Sequence, residues 1–329
     1  MIDIKLSIPS PGWPLSDQIH PYLRQTPNNS GIWGEYRFFI NVPIETCDYW
    51  VVFGDLENNS ESCYCPVNNT IFITGEPPSL THYDQKFLNQ FSHVISAHKD
   101  IKHKNLYNYI QGHPWFINKS YNELVSLDAV QKNREISIIT SNKTFSAGHK
   151  KRYEFALTIK DYFGDRIDLF GNGISSFQDK WDVLAPYKYS IVIENCRCDD
   201  WITEKLFDCF LSHTFPLYYG SKNISKYYHE HSYAEIDIYD SEGSIKKIEH
   251  ILNQPDHYTE HLPFILQSKE RTLNAYNLFP NIIHYIEKKK LAPFEVKEQV
   301  VIKKSNPRVN ALRNLKLSVE QLFKGKSTD

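Results

Sequence analysis

The sequence of 329 residues lacks any apolar run long enough to cross a bilayer, which needs roughly 18 or more consecutive apolar residues. It also lacks an excess of charge, because 37 Lys and Arg against 39 Asp and Glu give a formal net charge of −2. Proteins that mainly bind nucleic acid usually carry a large positive excess, so this balance argues against that class. The start of the chain does not show the basic and then apolar layout of a secretory signal. We therefore expect a cytoplasmic protein.

Cysteine is also scarce, and four of the six cysteines form two C-x-C pairs, Cys63 with Cys65 and Cys196 with Cys198. Reduced thiols are expected in a cytosolic compartment. Structural zinc sites usually place about two to four residues between paired cysteines, which these pairs do not. The spacing therefore favours buried or half-exposed thiols over a metal site.

Hydrophobic residues are plentiful at 41%, and 21 Tyr, 19 Phe and 6 Trp supply the apolar volume for packed cores, which excludes bulk disorder. Short β-like runs separated by turn residues fill the first 130 residues. They cover residues 2–8, 49–53, 70–74 and 93–96. After them, predicted strands at 135–140, 167–170, 190–194, 214–219 and 235–239 alternate with predicted helices at 149–164, 203–213 and 244–254. This alternation predicts an α/β fold whose second half is a parallel, doubly wound sheet.

The pattern divides the chain into two α/β lobes, residues 1–130 and 131–290, followed by a basic tail, residues 291–329. In the tail, apolar residues recur with the spacing of one helical face. They are Val309, Leu312, Leu315, Val319 and Leu322. Two interpretations stay open: this helix packs back on the body with a solvated basic side, or it lies on an anionic membrane surface.

The most informative stretch is SIVIENCRCDDWITEK, residues 190–205. A buried strand is followed by a polar loop, and Thr203 is a good N-cap for a helix that has Lys205 in its first turn. In a doubly wound sheet, this helix start lies at the carboxyl edge of the strands, where ligands bind. Free N–H groups and the positive end of the helix dipole attract a phosphate there. The alternative is that Lys205 pairs with Glu204 or Asp208 at the surface.

This stretch, together with SHTFPLYYGS at 212–221, resembles the donor-site signature of the α1,3/α1,4-fucosyltransferase family. The family pattern is an acidic residue, Asn and Ser, a variable segment, an aromatic or apolar pair and Thr-Glu-Lys, and then a helix and a Pro-containing strand that ends in Gly-Ser. The matching positions are Glu194, Asn195, Thr203, Glu204, Lys205, Pro216, Gly220 and Ser221. The sequence departs from the pattern at Cys196, where the family usually has Ser, and at Trp201, where it often has Tyr.

Two further segments resemble the same family. Ser141 and Asn142, followed by HKKRYEFALTIKDYFGDRIDLFGNG, are similar to its Ser-Asn, Arg-x-x-Phe and Asp-x-x-Gly sequence. This alignment gives Arg152 the place of the arginine that contacts the nucleotide diphosphate, although the run 149–152 by itself is more typical of an exposed basic helix start. In the first lobe, TIFITGEPPS resembles a family strand that ends in Gly-Glu facing the cleft, which places Glu76 there. By itself, Glu76 is more typical of a solvated loop.

The resemblance implies a GT-B glycosyltransferase fold of two Rossmann-like lobes, with the acceptor on the first and the nucleotide sugar on the second. It implies an inverting transfer of L-fucose from GDP-β-L-fucose to an oligosaccharide or glycolipid acceptor, without a required cofactor. Inversion by a single displacement needs one base on the acceptor hydroxyl, for which Glu76 is the candidate. Arg152 and Lys205, with the helix start at Thr203, would neutralise the leaving diphosphate.

Three further roles follow from the resemblance. Glu204 would hold the ribose or face the oxocarbenium-like sugar carbon, and Asn195 and Trp201 would line the sugar or the base. Many nucleotide-sugar transferases hold Mg²⁺ or Mn²⁺ through D-x-D, whereas Asp199 and Asp200 are adjacent here, so metal-independent transfer is predicted. Two alternatives stay open: the same fold with another nucleotide sugar for surface polysaccharide synthesis, and a non-catalytic glycan-binding protein.

Overall fold

The structure is a computed structural model that describes residues 1–9, 22–142, 147–293 and 296–305. Its contacts divide the chain into two compact units. Unit 1 comprises Met1–Leu23, Ser30–Gln111 and Ile283–Asp329, and unit 2 comprises Arg24–Asn29 and Gly112–Ile282.

Unit 1 is built on a seven-stranded sheet. The strands of unit 1 up to residue 111, of which β5 lies outside this sheet, are β1 (Ile2–Ser7), β2 (Ile32–Trp33), β3 (Tyr36–Ile40), β4 (Tyr49–Phe53), β5 (Ser60–Pro66), β6 (Thr70–Ile73), β7 (His93–Ser96) and β8 (Leu106–Asn108), with helix α1 (Gln85–Leu88) between β6 and β7. The sheet order is β2-β3-β1-β4-β6-β7-β8, and all neighbours are parallel except β2 with β3. The strands predicted at 2–8, 49–53, 70–74 and 93–96 are confirmed as β1, β4, β6 and β7.

These four strands are consecutive in the sheet, which explains why the sequence indicates them so clearly. Central strands of a parallel sheet are covered on both faces and therefore read as continuous apolar runs. The sequence of β4, YWVVF, is buried along its whole length, and so are all four residues of β6. A core of aromatic and aliphatic side chains around Trp50 and Phe72 packs against this sheet.

Unit 2 contains a five-stranded sheet and most of the helices. Its elements are α2 (Tyr121–Val125), β9 (Arg134–Ile139), α3 (Ala147–Phe163), β10 (Ile167–Phe170), β11 (Tyr187–Ile193), α4 (Glu204–Leu211), β12 (Phe215–Tyr219), β13 (Ala234–Glu235), α5 (Ser241–Leu252) and α6 (His257–Arg271). The strand order is β10-β9-β11-β12-β13 with every pair parallel. By position in the chain this is the 2-1-3-4-5 order of a doubly wound sheet. The predicted α/β class is confirmed, with a largely parallel sheet in each unit.

The strand predicted at 235–239 is shorter in the structure and ends at Glu235. Polar side chains divert the chain after this point. The Asp237 main-chain N–H donates to the Ser244 hydroxyl at 3.0 Å, and the Asp240 carboxylate caps the start of α5. Short polar side chains that bond nearby main-chain groups compete with a sheet ladder, and here they favour a turn.

The boundary between the units lies at 111/112 rather than at 130/131. The segment after residue 112 is hydrogen-bonded within unit 2, since the Phe116 main-chain N–H donates to Asp208 at 2.9 Å. The last helix, α7 (Leu278–Lys289), begins in unit 2 and ends in unit 1, where the Tyr285 hydroxyl bonds His93 at 2.9 Å. Such long-range contacts leave no mark in the local sequence pattern.

The expected tail, residues 291–329, also begins differently. Lys297–Lys303 forms β14, which pairs antiparallel with β5 and so belongs to unit 1. The predicted amphipathic face from Val309 to Leu322 lies outside the described residues. Within the described ranges, no helix is both long and apolar enough to span a membrane.

Candidate functional site

The candidate site lies at the carboxyl edge of the unit 2 sheet. Two glycines there allow neighbouring atoms to approach the main chain closely. Gly171 follows β10 at φ +136°, and a Cβ there would lie 1.5 Å from the carbonyl oxygen of Thr140. Gly220 follows β12, and its Cβ would lie 2.2 Å from the Tyr218 hydroxyl oxygen and 2.7 Å from Cγ of Glu194. Only glycine fits at either position.

The carboxylate of Glu194, which follows β11, lies at the N-terminal end of α4. It accepts hydrogen bonds from the Thr203 main-chain N–H at 2.9 Å and from the Thr203 hydroxyl at 2.8 Å. Thr203 is the predicted N-cap, and its hydroxyl oxygen accepts the Lys205 main-chain N–H at 3.3 Å. Burial raises the pKa of Glu194, while the charge of Lys205 opposes that rise. The helix start that the sequence indicates for a phosphate thus already holds a carboxylate of the protein.

Lys205 lies between two carboxylates. Its Nζ is 3.1 Å from Oε1 of Glu204 and 3.5 Å from Oε2 of Glu194. Burial alone would raise the pKa of Glu204, but the positive charges of Lys205 and Lys180 dominate and lower it to about 2. Burial would lower the pKa of Lys205, but the charges of Glu204 and Glu194 raise it. The alternative pairing with Glu204 is therefore present, in a largely buried cluster rather than at the surface.

Arg152 reaches the same edge from α3. Its Nη1 donates to Oδ1 of Asn195 at 2.7 Å and its Nη2 donates to the Ser141 hydroxyl at 3.3 Å. Burial lowers the pKa of Arg152, and the charge of Glu194 opposes this. Its Nε is buried and has no hydrogen-bond acceptor among the residues that the structure describes. Arg152 is only 9% exposed, so the alternative of an exposed basic helix start is wrong for this residue.

Lys180 and Asp208 form a buried ion pair that the sequence reasoning missed. Lys180 Nζ lies 2.7 Å from Oδ2 of Asp208, whose Oδ1 accepts the Phe116 main-chain N–H. Beside them is a cavity of about 140 Å³ with Lys180, Glu204 and Lys205 in its wall. The remaining lining residues are Phe116, Ile139, Leu184, Ser190, Ile191, Val192, Ile193 and Cys209. Lys180 begins the 3-10 helix Lys180–Val183, which is too short to show a periodicity in the sequence.

Trp201 is buried against His113, with ring centroids 5.0 Å apart and planes at 76°. Burial lowers the pKa of His113 to about 4, although the charge of Glu204 acts in the opposite direction. His113 is thus neutral near pH 7 and adds an aromatic edge to the cluster. Nothing in the local sequence around His113 singled it out.

The loop between β11 and α4 is fixed at two points. Cys196 and Cys198 form a disulfide, so the expectation of reduced thiols is wrong for this pair. The turn between them holds their Cα atoms 5.6 Å apart, which is within the range that a disulfide spans. Asp200 then accepts hydrogen bonds from Asn223 at 3.0 Å and from Lys226 at 2.9 Å. The other four cysteines are free and buried, among them Cys63 and Cys65.

Glu76 lies in unit 1, in the turn after β6, and its side chain is exposed. The other predicted site residues all lie in unit 2 at the edge just described. They are Arg152, Asn195, Trp201, Thr203, Glu204 and Lys205. Among the residues that the structure describes, no group of three or more His, Cys, Asp or Glu side chains is arranged to hold a metal ion.

The sequence segment that carries this cluster also matches a family model. Residues 129–277 match glycosyltransferase family 10 (fucosyltransferase), C-terminal domain. This segment is therefore similar to the C-terminal domain of the family 10 fucosyltransferases. The resemblance indicated by the Thr-Glu-Lys signature is therefore confirmed, and the matched range contains every predicted site residue except Glu76.

Individual relatives match over shorter stretches. An α-(1,3)-fucosyltransferase, FucT, of Helicobacter pylori is 28% identical over 131 residues, which are 40% of this chain and 27% of that protein. A GDP-fucose protein O-fucosyltransferase 3 of Danio rerio is 30% identical over 105 residues, which are 32% of this chain and 23% of that protein. The matches thus span about a quarter of these relatives.

A solved structure of an α1,3-fucosyltransferase with GDP aligns with 85% of this chain and 93% of its own, at 18% identity and a TM-score of 0.47. One with GDP-fucose aligns with 84% of this chain and 92% of its own, at 16% identity and a TM-score of 0.46.

Proposed function

We propose that the protein is an inverting fucosyltransferase that transfers L-fucose from GDP-β-L-fucose to a hydroxyl of an oligosaccharide or glycolipid. One observation carries this proposal: the signature side chains of the family 10 domain converge at a single sheet edge, with Arg152 on Asn195 and Lys205 between Glu194 and Glu204. The two relatives named above are fucosyltransferases. The family resemblance implies a GT-B fold of two α/β lobes, and each unit of this chain is α/β.

The positively charged side chains of the cluster stabilise the leaving group. As the bond between fucose C1 and the diphosphate oxygen breaks, negative charge grows on the diphosphate. Lys205 and Arg152 are held charged and oriented before the donor arrives, so they stabilise that charge without having to reorganise. Glu204 then holds the ribose or faces the sugar carbon, and Asn195 lines the sugar or the base, as the family resemblance implies. Trp201, which is buried, lines the sugar or the base together with Asn195.

Glu76 is the proposed general base. It removes the proton from the acceptor hydroxyl, whose oxygen attacks fucose C1 from the face opposite the departing GDP, so the anomeric configuration inverts. An exposed carboxylate at the end of a parallel strand suits this task, because the carboxyl edge of such a sheet is where ligands bind.

We further propose that transfer needs no divalent cation, because Arg152 and Lys205 supply the positive charge that Mg²⁺ or Mn²⁺ supplies elsewhere. Turnover should then be unchanged by EDTA and by added Mn²⁺. A loss of activity on chelation that added metal restores would contradict this proposal.

The donor is tested by thermal stabilisation with GDP, GDP-fucose, GDP-mannose, UDP-sugars and CMP, since ligands that bind the native state raise its melting temperature. We expect stabilisation by GDP and GDP-fucose. Lys205→Met should weaken GDP binding by about 10-fold or more, because it removes a charge-assisted contact. Lys246→Met, which changes an exposed lysine of the same unit, is the control and should bind GDP normally. Stabilisation by UDP-sugars alone would favour the alternative donor, and no stabilisation would favour a glycan-binding protein.

The base is tested with Glu76→Gln, which keeps the size of the side chain but cannot take a proton. We expect turnover to fall by about 100-fold or more while GDP-fucose binding is kept. Turnover is measured with a set of candidate acceptors that includes peptides as well as oligosaccharides, because the names of the two relatives indicate different acceptors. Unchanged turnover would remove Glu76 from this role.

A further inference from the structure

The main chain around Glu76 is held on both sides by buried side chains of unit 1. The Gly75 N–H donates to the Tyr83 hydroxyl oxygen at 3.2 Å. The Glu76 carbonyl oxygen lies 2.8 Å from Nε2 of His98. A carbonyl oxygen only accepts, so the imidazole donates through Nε2–H, which fixes the tautomer of His98.

Among the described residues, the His98 side chain has no other hydrogen-bond partner. The residue is fully buried, and its Nδ1 is buried without a hydrogen-bond partner. Burial lowers the pKa of His98, so the ring is neutral near pH 7. Leaving one ring nitrogen unbonded in the interior costs free energy, and an apolar ring of the same size would avoid that cost. Within the described part of the chain, the one hydrogen bond of the imidazole is with the Glu76 carbonyl oxygen.

The strand ends around His98 are tied to each other as well. The His98 main-chain N–H donates to the Ser96 hydroxyl at 2.9 Å, and the Thr74 hydroxyl donates to the same oxygen at 3.1 Å. A Cβ on Gly75 would lie 2.9 Å from Cα of Gly54, so the ends of β4 and β6 are in direct contact. The main chain at His98 is thus held by hydrogen bonds to the neighbouring strand ends.

We propose that His98 is a positioning residue that fixes the main chain of Glu76 and so aims the exposed carboxylate, with Tyr83 holding the preceding peptide. This inference rests on the proposed role of Glu76 as the base. A general base works only when it is held within hydrogen-bond reach of the proton that it removes, so freedom at its Cα lowers turnover without weakening donor binding.

Two substitutions at His98 separate the hydrogen bond from the volume. His98→Phe keeps the ring and removes the N–H, whereas His98→Gln keeps an N–H donor at a similar reach. We expect His98→Phe to lower kcat about 10-fold or more, with the KM for GDP-fucose within about 2-fold of the wild-type value. His98→Gln should restore kcat to within about 3-fold of wild type.

The decisive measurement repeats His98→Phe in a Glu76→Gln background. A residue that acts through Glu76 has nothing left to position there, so kcat should not fall further. Equal losses in both backgrounds, or no loss in the wild-type background, would overturn the proposal. If Glu76→Gln alone leaves kcat unchanged, the role of Glu76 as the base fails instead, and the two failures are therefore distinguishable.

His103 provides the matched control. Its Nε2 lies 3.0 Å from the Phe91 carbonyl oxygen, a bond of the same kind located ahead of β7, at the opposite end of that strand from His98. His103→Phe should leave kcat unchanged. If His98→Phe does not fold, Tyr83→Phe removes a single oxygen and tests the other half of the support. It should lower kcat about 3-fold or more, and only when Glu76 is present.

Discussion

At the residue scale, the candidate site depends on a buried carboxylate, that of Glu194, and on the neighbours that bond it and leave space for it. Glu194 is fully buried and is satisfied by both donors of Thr203, while Lys205 balances its charge. Gly220 makes room for this arrangement because its missing side chain leaves space for Glu194. A buried carboxylate without its donors would cost several kcal/mol, so these residues depend on one another.

Gly220→Ala tests this close approach. The new methyl would lie far inside the contact distance of Tyr218 and Glu194, so we expect unfolding free energy to fall by about 2 to 4 kcal/mol and GDP binding to weaken. Gly164→Ala is the control, because its φ is +58° but no atom lies within 4 Å of a Cβ there. That change should cost only about 1 kcal/mol, from the backbone alone. Equal costs in urea unfolding would contradict the steric argument.

At the scale of elements, α4 is fixed at both its start and its middle. Glu194 and Thr203 hold its first turn, and Asp208 in its second turn is paired with Lys180 and bonded to the Phe116 main chain. Lys180 begins the 3-10 helix Lys180–Val183 and Phe116 lies outside helix and strand, so α4 holds two separate segments that line the cavity. The Asp208 side chain is fully buried and that of Lys180 is 16% exposed, so solvent does little to screen this pair.

Lys180→Met should therefore destabilise the protein by about 3 kcal/mol or more, since it leaves Asp208 as an uncompensated buried charge. Adding Asp208→Asn to this variant should recover part of the loss, because the charge is removed while the acceptor for Phe116 is kept. Urea unfolding of the two single variants and the double variant measures the coupling. Lys246→Met breaks an exposed helix pair and should change stability by less than about 0.5 kcal/mol. Additive losses at Lys180 and Asp208 would show that they do not interact.

At the scale of the whole molecule, several histidines are buried as neutral rings. Burial lowers the pKa of His113 to about 4, that of His257 to about 4 and that of His213 to about 3. The unfolded chain takes up these protons near pH 6.5, whereas the folded chain resists them until the pH is lower. Between pH 6.5 and 4 the unfolded state thus binds more protons, and stability must fall as the pH falls.

We expect the free energy of unfolding to decrease on acidification from pH 6.5 to 5, by at most about 1.4 kcal/mol per pH unit for each such histidine. Glu204 contributes nothing to this slope, because its stabilisation is present above pH 4.5 and is lost only as the pH falls toward its folded pKa of about 2. Melting curves at several pH values check the prediction. His257→Phe should flatten the slope, whereas His250→Gln, at an exposed position, should not. A stability that is flat between pH 6.5 and 5 would contradict it.

The sequence by itself determined the central strands, the helix cap at Thr203 and the family resemblance of the second unit. Each of these depends on residues that are adjacent in the sequence. A strand that is covered on both faces is a continuous apolar run, and the helix begins at a capping residue followed by Glu204 and Lys205. Local physics and a contiguous motif were sufficient for them.

Only the tertiary structure decided which groups complete the cluster and where the units divide. Lys180 meets Asp208 across 28 positions, and His113 meets Trp201 from a segment without periodicity. The carboxylate of Glu194 takes the helix start where a phosphate was expected, and residues 297–303 pair as a strand with β5 rather than forming a separate tail. These contacts depend on how distant segments pack, and the chain carries no local pattern that specifies such packing.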